Sequence, residues 1–340
     1  MNLVTRRRFL LFSLSPLIFS WTKRPEIAIT VTGPVRSTQL GTTLSHEHVL
    51  VDFIGADKIS SDSWNREDVL KKVLPYFMEA RQAGVHTVLE CTPAYLGRDP
   101  ELLKMISTRS GLLLITNTGY YGAVNSKYLP SWAFTETATQ LAERWIKEFD
   151  NGIDNTGIKP GFIKISVDAA ESGLSEIHRK IVQAAAITHK RTGLMIHSHT
   201  GLAPAAFEHI EILKKEGVLP DAFVWVHAQA EADYNKLVEA AQTGAWVSLD
   251  NIVSDFDKYA ERLVLLKKHH LLHRVLISHD AGYYRPGEPE GGEFKGYTDI
   301  FTKLIPILKS NHFTGTDIDQ LLIKNPAEAV AIRKRIPFFK

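Results

Sequence analysis

The stretch Thr192-Gly193-Leu194-Met195-Ile196-His197-Ser198-His199 holds the repeating unit of the whole chain. A helical pattern ends at a glycine, a compact apolar strand follows, and a polar, chemically competent residue stands where the strand runs out. Glycine just past a helix takes the left-handed conformation at little cost, so it reads as a helix stop. The same succession recurs elsewhere. Ala83-Gly84 precedes Thr87-Val88-Leu89-Glu90-Cys91, Ser110-Gly111 precedes Leu112-Leu113-Leu114-Ile115, and Thr243-Gly244 precedes Ala245-Trp246-Val247-Ser248-Leu249.

Extending this reading outward gives eight strands, near 42–46, 87–92, 112–118, 161–166, 194–199, 223–227, 245–250 and 274–280. Helical patterns lie between and after them, near 66–83, 98–109, 135–149, 174–192, 204–216, 231–243, 257–272 and 298–310. Strands alternating with helices imply parallel pairing and right-handed crossovers. Eight of each suits a closed (β/α)8 TIM barrel, an α/β fold, better than an open doubly wound sheet. No Gly-x-Gly-x-x-Gly follows the first strand, so a dinucleotide-binding fold has no fingerprint here. Residues 26–35 alternate around Thr-Gly-Pro and predict a short hairpin ahead of the barrel, and 316–335 predicts two short helices covering it.

Composition agrees with one large globular unit. The 340 residues are 44% hydrophobic and 23% charged, with a net charge of +2, and a barrel of this kind takes about 250 residues. No basic stripe points to nucleic acid. The single cysteine, Cys91, excludes an intramolecular disulfide framework and a Cys-based zinc site.

The N-terminus departs from this profile. Arg6-Arg7-Arg8 precedes an apolar run from Phe9 to Trp21, which reads as an export signal and is short for a membrane span. It resembles a twin-arginine signal, a receptor-read address. The expectation is a signal over 1–24, a barrel over 25–340, a bacterial protein exported to the periplasm, and no stable membrane anchoring once the signal is removed. An Ala-x-Ala cleavage site is lacking.

Six residues stand at strand ends with metal-ligating capacity: His46, His48, Lys164, His199, His227 and Asp280. In a barrel, strand C-termini converge on one mouth, so residues far apart in sequence meet there. His46 and His48 are two apart, so on a strand both face inward while Glu47 faces away. Neutral imidazole suits zinc and related divalent metals. Lys164 is ordinarily a cation that repels a metal, and its bland role is pairing with a carboxylate such as Asp168. A buried lysine, however, readily becomes a nucleophilic amine able to take up carbon dioxide as a carbamate.

In its ordered motifs the chain resembles the phosphotriesterase-like family of the amidohydrolase superfamily. The resemblance runs from about residue 34 to 330, through Gly-Thr-Thr-Leu-Ser-His-Glu-His-Val (41–49), Thr-Pro-Ala-Tyr-Leu-Gly-Arg-Asp-Pro (92–100), Thr-Gly-Tyr-Tyr (118–121) and Gly-Phe-Ile-Lys-Ile (161–165). His199-Thr200, Val226-His227, Ser278-His279-Asp280 and Asn325-Pro326-Ala327 follow in the same order. The resemblance implies two divalent ions, zinc first and manganese or cobalt as alternatives. His46, His48 and Asp280 would hold the more buried ion, and His199 and His227 the more exposed one. Lys164, as N6-carboxylysine, would bridge the two together with a hydroxide. Asp280 and Lys164 are then the catalytic residues, with Asp280 shuttling the proton.

The expected activity is hydrolysis of a small ester-type substrate, a lactone or carboxylic ester, with phosphotriesters as a side activity. A phosphotriester hydrolase proper and a non-catalytic binding barrel are the alternatives, and a homodimer is the assembly considered. His197 competes with His199 and reads as a hydrogen-bonded core histidine one layer deeper. His279 reads as packing, and the group His269, His270 and His273 as a solvated helix end. Asp99 starts a helix and Arg98 braces the loop above the second strand. Tyr120, Tyr121 and Arg285 are candidates for the substrate pocket. Specificity is expected in the loops after the seventh and eighth strands, the latter Gly- and Glu-rich and without an apolar lining.

Overall fold

A computed structural model describes residues 26–168 and 173–337, so the expected export signal lies outside the described residues. The predicted hairpin forms from β1 (Ile27–Thr30) and β2 (Gly33–Arg36), paired antiparallel. The barrel strands follow as β3 (Thr43–Glu47), β4 (Thr87–Glu90), β5 (Leu113–Ile115), β6 (Asn117–Thr118), β7 (Phe162–Ser166), β8 (Ile196–His199), β9 (Phe223–Val226), β10 (Trp246–Leu249) and β11 (Val275–Ile277). β5 and β6 are two pieces of the third strand, which changes partner at Thr116: β5 pairs with β4 and β6 with β7. All barrel pairings are parallel, in chain order.

Closure is made by the segment leaving β11. Asp280 N–H donates to His46 O at 3.0 Å, His48 N–H to Ala281 O at 2.9 Å, and His46 N–H to Ser278 Oγ at 2.9 Å. The seam that completes the barrel therefore runs through three of the expected site residues.

Around the strands lie α1 (Arg66–Gln82), α2 (Pro100–Ser110), the short α3 (Trp132–Thr135), α4 (Ala138–Asn151), α5 (Glu176–Thr192), α6 (Ala203–Lys215), α7 (Tyr234–Gln242) and α8 (Phe256–Lys268). A π turn over Ile300–Leu304 then leads into α9 (Ile305–Ser310). The four glycines read as helix stops all have positive φ. At Gly193 a Cβ would also lie 3.0 Å from the Arg333 backbone, so the residue serves both the stop and the packing of the tail. Asp99 caps α2 by accepting from Leu102 N–H at 3.0 Å. Arg98 grips Glu148 of α4 through two nitrogens, at 2.7 and 2.9 Å, and donates to Asn117 O, so it does brace the loop above the second strand.

The tail differs from two separate helices. α10 (Gly315–Asp319), a π turn over Gln320–Lys324 and α11 (Asn325–Val330) run in unbroken succession. The two π turns among the described residues each precede a proline, Pro306 and Pro326, which has no N–H for the residue four back, so the helix widens there instead of ending. The bend brings Ala329 and Val330 beneath the barrel. Val330 packs with Ala28, Leu40, Leu89, Cys91, Ile115 and Phe162, and Ala329 with Met195, Val224, Val226, Trp246 and Leu276. No helix among the described residues is long and apolar enough to cross a membrane.

Candidate metal centre

At the opposite end of the barrel the six strand-end residues meet. His46 Nε2 lies 3.3 Å from Lys164 Nζ and 3.6 Å from Asp280 Oδ1, and His48 Nε2 lies 3.1 Å from the same oxygen. The rings of His46 and His227 are 5.1 Å apart, and those of His199 and His227 4.4 Å. Their backbones are shaped for the purpose. His227 and Asp280 both have left-handed φ, +61° and +52°, a conformation uncommon outside glycine and frequent at functional sites.

Each imidazole is held through Nδ1. His46 Nδ1 faces Asp250 Oδ2 at 3.2 Å, His227 Nδ1 faces Asp250 Oδ1 at 2.5 Å, His48 Nδ1 faces Thr92 Oγ1 at 2.8 Å, and His199 Nδ1 faces the Tyr121 hydroxyl at 3.2 Å. Nε2 of each ring is thereby left as the donor atom, with ring orientation fixed by a second partner, an arrangement typical of metal-ligating histidines.

Electrostatics suit a cation. Burial, with the Lys164 charge, pushes His46 down to about 4, and burial with the neighbouring His227 holds His199 well below its usual value. Both rings are therefore neutral donors near neutral pH. Asp250 is buried and Asp280 nearly so, which would raise them, yet the surrounding histidines hold both well below the usual carboxylate range. His227 is raised: burial opposes its charge, but Asp250 and Asp280 outweigh it. Acidic groups thus attract a cation to this spot, and a proton takes the role where no metal does. Lys164 is buried, and among the described residues no carboxylate pairs with it. Asp168 instead accepts from Val124 N–H. A lone buried ammonium facing an imidazole lacks a counterion, so the donor set fits a metal centre better than a salt-bridged lysine.

Several functional neighbours went unread in the sequence. Asp250 bridges His46 and His227 and also accepts from Ser248 Oγ and His227 N–H. It ends the Trp246–Leu249 strand, so the criterion that found the other six would have found it. Thr92 also stands at a strand end and opens the 92–100 motif, but a hydroxyl is not a metal-ligating type and it was not singled out. Tyr283 reaches Asp280 with its hydroxyl. Glu47 faces away, as expected, and accepts from Ser278 Oγ, His279 Nδ1 and the N–H groups of His279 and Ala281, which fastens β3 to the β11 exit. His279 is satisfied on both nitrogens and is structural.

Other expectations need correction. His197 is buried, but its Nε2 has no hydrogen-bond partner among the described residues, and its ring packs on Phe162 at 4.8 Å, so it is a neutral packing residue and not a hydrogen-bonded one. Tyr121 stands beside His199, at 5.2 Å between rings, whereas Tyr120 turns outward onto Tyr95 and Trp145. Adjacent residues on an extended segment face opposite sides, so only one of the pair can line the mouth. Arg285 is tied to Glu288 at 2.7 Å. The apolar wall near the centre is Val51, Leu96, Tyr121, Tyr128 and Tyr283. It comes largely from loops after the first three barrel strands, which the sequence reading had not credited with lining.

The fold and the donor set together define a barrel metal-dependent hydrolase. The chain belongs to the phosphotriesterase family, whose profile matches residues 27–330. It is 28% identical to the phosphotriesterase homology protein of Escherichia coli over 292 residues, 85% of this chain and 97% of that protein. It is also 28% identical to an aryldialkylphosphatase of Saccharolobus solfataricus, covering 86% and 95% of the two chains. A third relative, an N-acetyltaurine hydrolase of Dictyostelium discoideum, is 28% identical over 75% of this chain and 71% of that one. The crystal structure of the E. coli protein, complexed with phosphate in its active site, superposes with a TM-score of 0.73 at 26% identity, covering 86% of this chain and 99% of that chain.

Proposed function

We propose that this chain is a binuclear-metal hydrolase of small lactones or carboxylic esters, with phosphotriester cleavage as a secondary activity. The observation that carries the reading is Asp280. It is a carboxylate kept ionised at the mouth, within 3.1 and 3.6 Å of two imidazole Nε2 atoms and flanked by a third histidine. A module that only bound ligands would gain nothing from a proton acceptor there. When bound, the two metals would supply Lewis acidity and a water of lowered pKa.

The chain's own residues supply the rest. His46, His48, His199, His227 and Asp280 would hold the ions, Asp280 would take up the proton, and Tyr121, Tyr128 and Tyr283 would pack an apolar substituent. Zinc suits a set of imidazoles and carboxylate. A carbamate on Lys164 would replace an unpaired cation with an anionic oxygen donor. Relatives named for phosphoryl and for N-acetyl substrates are compatible with a centre that acts on either kind of oxygen. The aryldialkylphosphatase favours the second reading, a phosphotriester hydrolase proper. We also propose export directed by the Arg6-Arg7-Arg8 segment, to be checked by fractionating cells that express the full chain.

The deciding experiment is a hydrolysis panel on protein reconstituted with zinc, manganese or cobalt. Lactones and carboxylic esters turned over with higher kcat/KM than phosphotriesters support the proposal. The reverse order selects the phosphotriester reading, and no turnover with both metals in place selects a binding barrel.

A further inference from the structure

The segment leaving β11 is laid along the exit of β3 as a continued parallel ladder. His48 N–H donates to Ala281 O, Tyr284 N–H to Val49 O and Val51 N–H to Tyr284 O, each at 2.9 Å. Contact is so close that a Cβ on Gly282, which sits at φ +101°, would lie 1.9 Å from the His48 carbonyl oxygen. Between these fixed points Tyr283 adopts φ +74°, a conformation that costs a bulky aromatic residue energy. What the conformation achieves is visible at the side chain. The ring lies 4.8 Å from that of His48 at an interplanar angle of 31°, and the hydroxyl donates to Asp280 Oδ1 at 2.6 Å.

Asp280 Oδ1 is the oxygen facing His48 and His46, while Oδ2 is the one turned toward His227, 4.0 Å from its Nδ1. A carboxylate on a short side chain turns easily about its last torsion; a half-turn only swaps two equivalent oxygens, but a partial turn would carry both out of line with the histidines. Packing against Val51, Leu96 and Tyr128 and against the tilted His48 ring leaves the Tyr283 hydroxyl little freedom to follow.

We propose that Tyr283 is a positioning residue for hydrolysis: its hydroxyl holds the plane of the Asp280 carboxylate, so that one oxygen faces His46 and His48 and the other stays turned to the His227 side for proton transfer. This rests on the hydrolytic reading above. A hydrogen bond from a neutral donor to a buried carboxylate is among the stronger kinds, and its loss changes orientation without removing any metal ligand.

The test is Tyr283→Phe, which keeps the ring and its packing on His48 and deletes only the hydroxyl. The reconstituted variant is expected to keep the parent's metal content and a KM within about twofold, while kcat falls by about 10- to 100-fold. A crystal structure of the metal-free variant should show the plane of the Asp280 carboxylate turned away from its direction in the parent, or spread over two planes where the parent has one. An unchanged kcat with an unrotated carboxylate would overturn the proposal. Metal loss from a folded variant would also overturn it, by giving Tyr283 a part in retention instead of orientation. Failure of the parent protein to hydrolyse anything in the panel is a different result, and it would remove the hydrolytic reading itself.

Discussion

The two ends of this barrel are built on the same strands and do opposite things. Along the inward face of β7 the residues run Phe162, Lys164, Ser166; along β8 and the residue before it, Met195, His197, His199; along β10 and its exit, Trp246, Ser248, Asp250. Each row starts apolar and ends polar within two steps of the pleat. At the lower end the apolar members are sealed by Ala28 of the hairpin and by Ala329 and Val330 of α11. At the upper end a group of imidazoles and carboxylates is held by one another and by the hydroxyls of Thr92, Tyr121, Ser248 and Tyr283. Stability is concentrated below and chemistry above, and a position four residues along a strand decides which a substitution damages.

This division can be attacked from either side. The largest effect on folding is expected at Phe162, fully buried in the lower layer. Phe162→Ala should cost about 3–5 kcal/mol in denaturant unfolding while the folded fraction keeps its metal. A loss of metal with little loss of stability would erase the distinction.

Somewhat smaller is the acid sensitivity of the floor. His189 is buried, accepts from Arg335 N–H and faces Leu194 O, and burial holds it down to about 4 from 6.5. Its neutral form therefore stabilises the fold fully above about pH 6.5, and the contribution is lost as pH falls toward 4, by about 3 kcal/mol in all. His189→Gln should flatten that slope in unfolding free energy measured against pH, and an unaltered slope would contradict the assignment.

Smallest is Asp250→Asn at the mouth. It keeps the shape but weakens the hold on His46 and His227, so metal affinity should drop about 10- to 100-fold with the melting temperature of the metal-free protein little changed. Titration with a competing chelator checks this, and unaltered affinity would make Asp250 a bystander.

What was legible in the sequence follows the same division. Glycine stops and apolar runs located every barrel strand, because both signals are local. The six strand-end residues were legible because barrel geometry turns a one-dimensional position into a shared mouth. Contacts that depend on loop paths were not. Tyr283 reaches Asp280 only because Gly282 allows the loop to lie on His48, and Tyr121, not Tyr120, faces the centre because of where the extended segment begins. That His197 Nε2 finds no partner among the described residues is likewise a fact of three-dimensional packing. Asp250 was within reach, at the end of the strand near 245–250, and was passed over.

The claim that the mouth is a binuclear hydrolytic centre is tested most directly by counting metal in Asp280→Asn against its activity. The reconstituted parent should hold about two divalent ions per chain. The variant should still bind metal and lose about a thousandfold or more of its ester hydrolysis. Full activity in the variant, or a parent that takes up no metal on reconstitution, would contradict the claim.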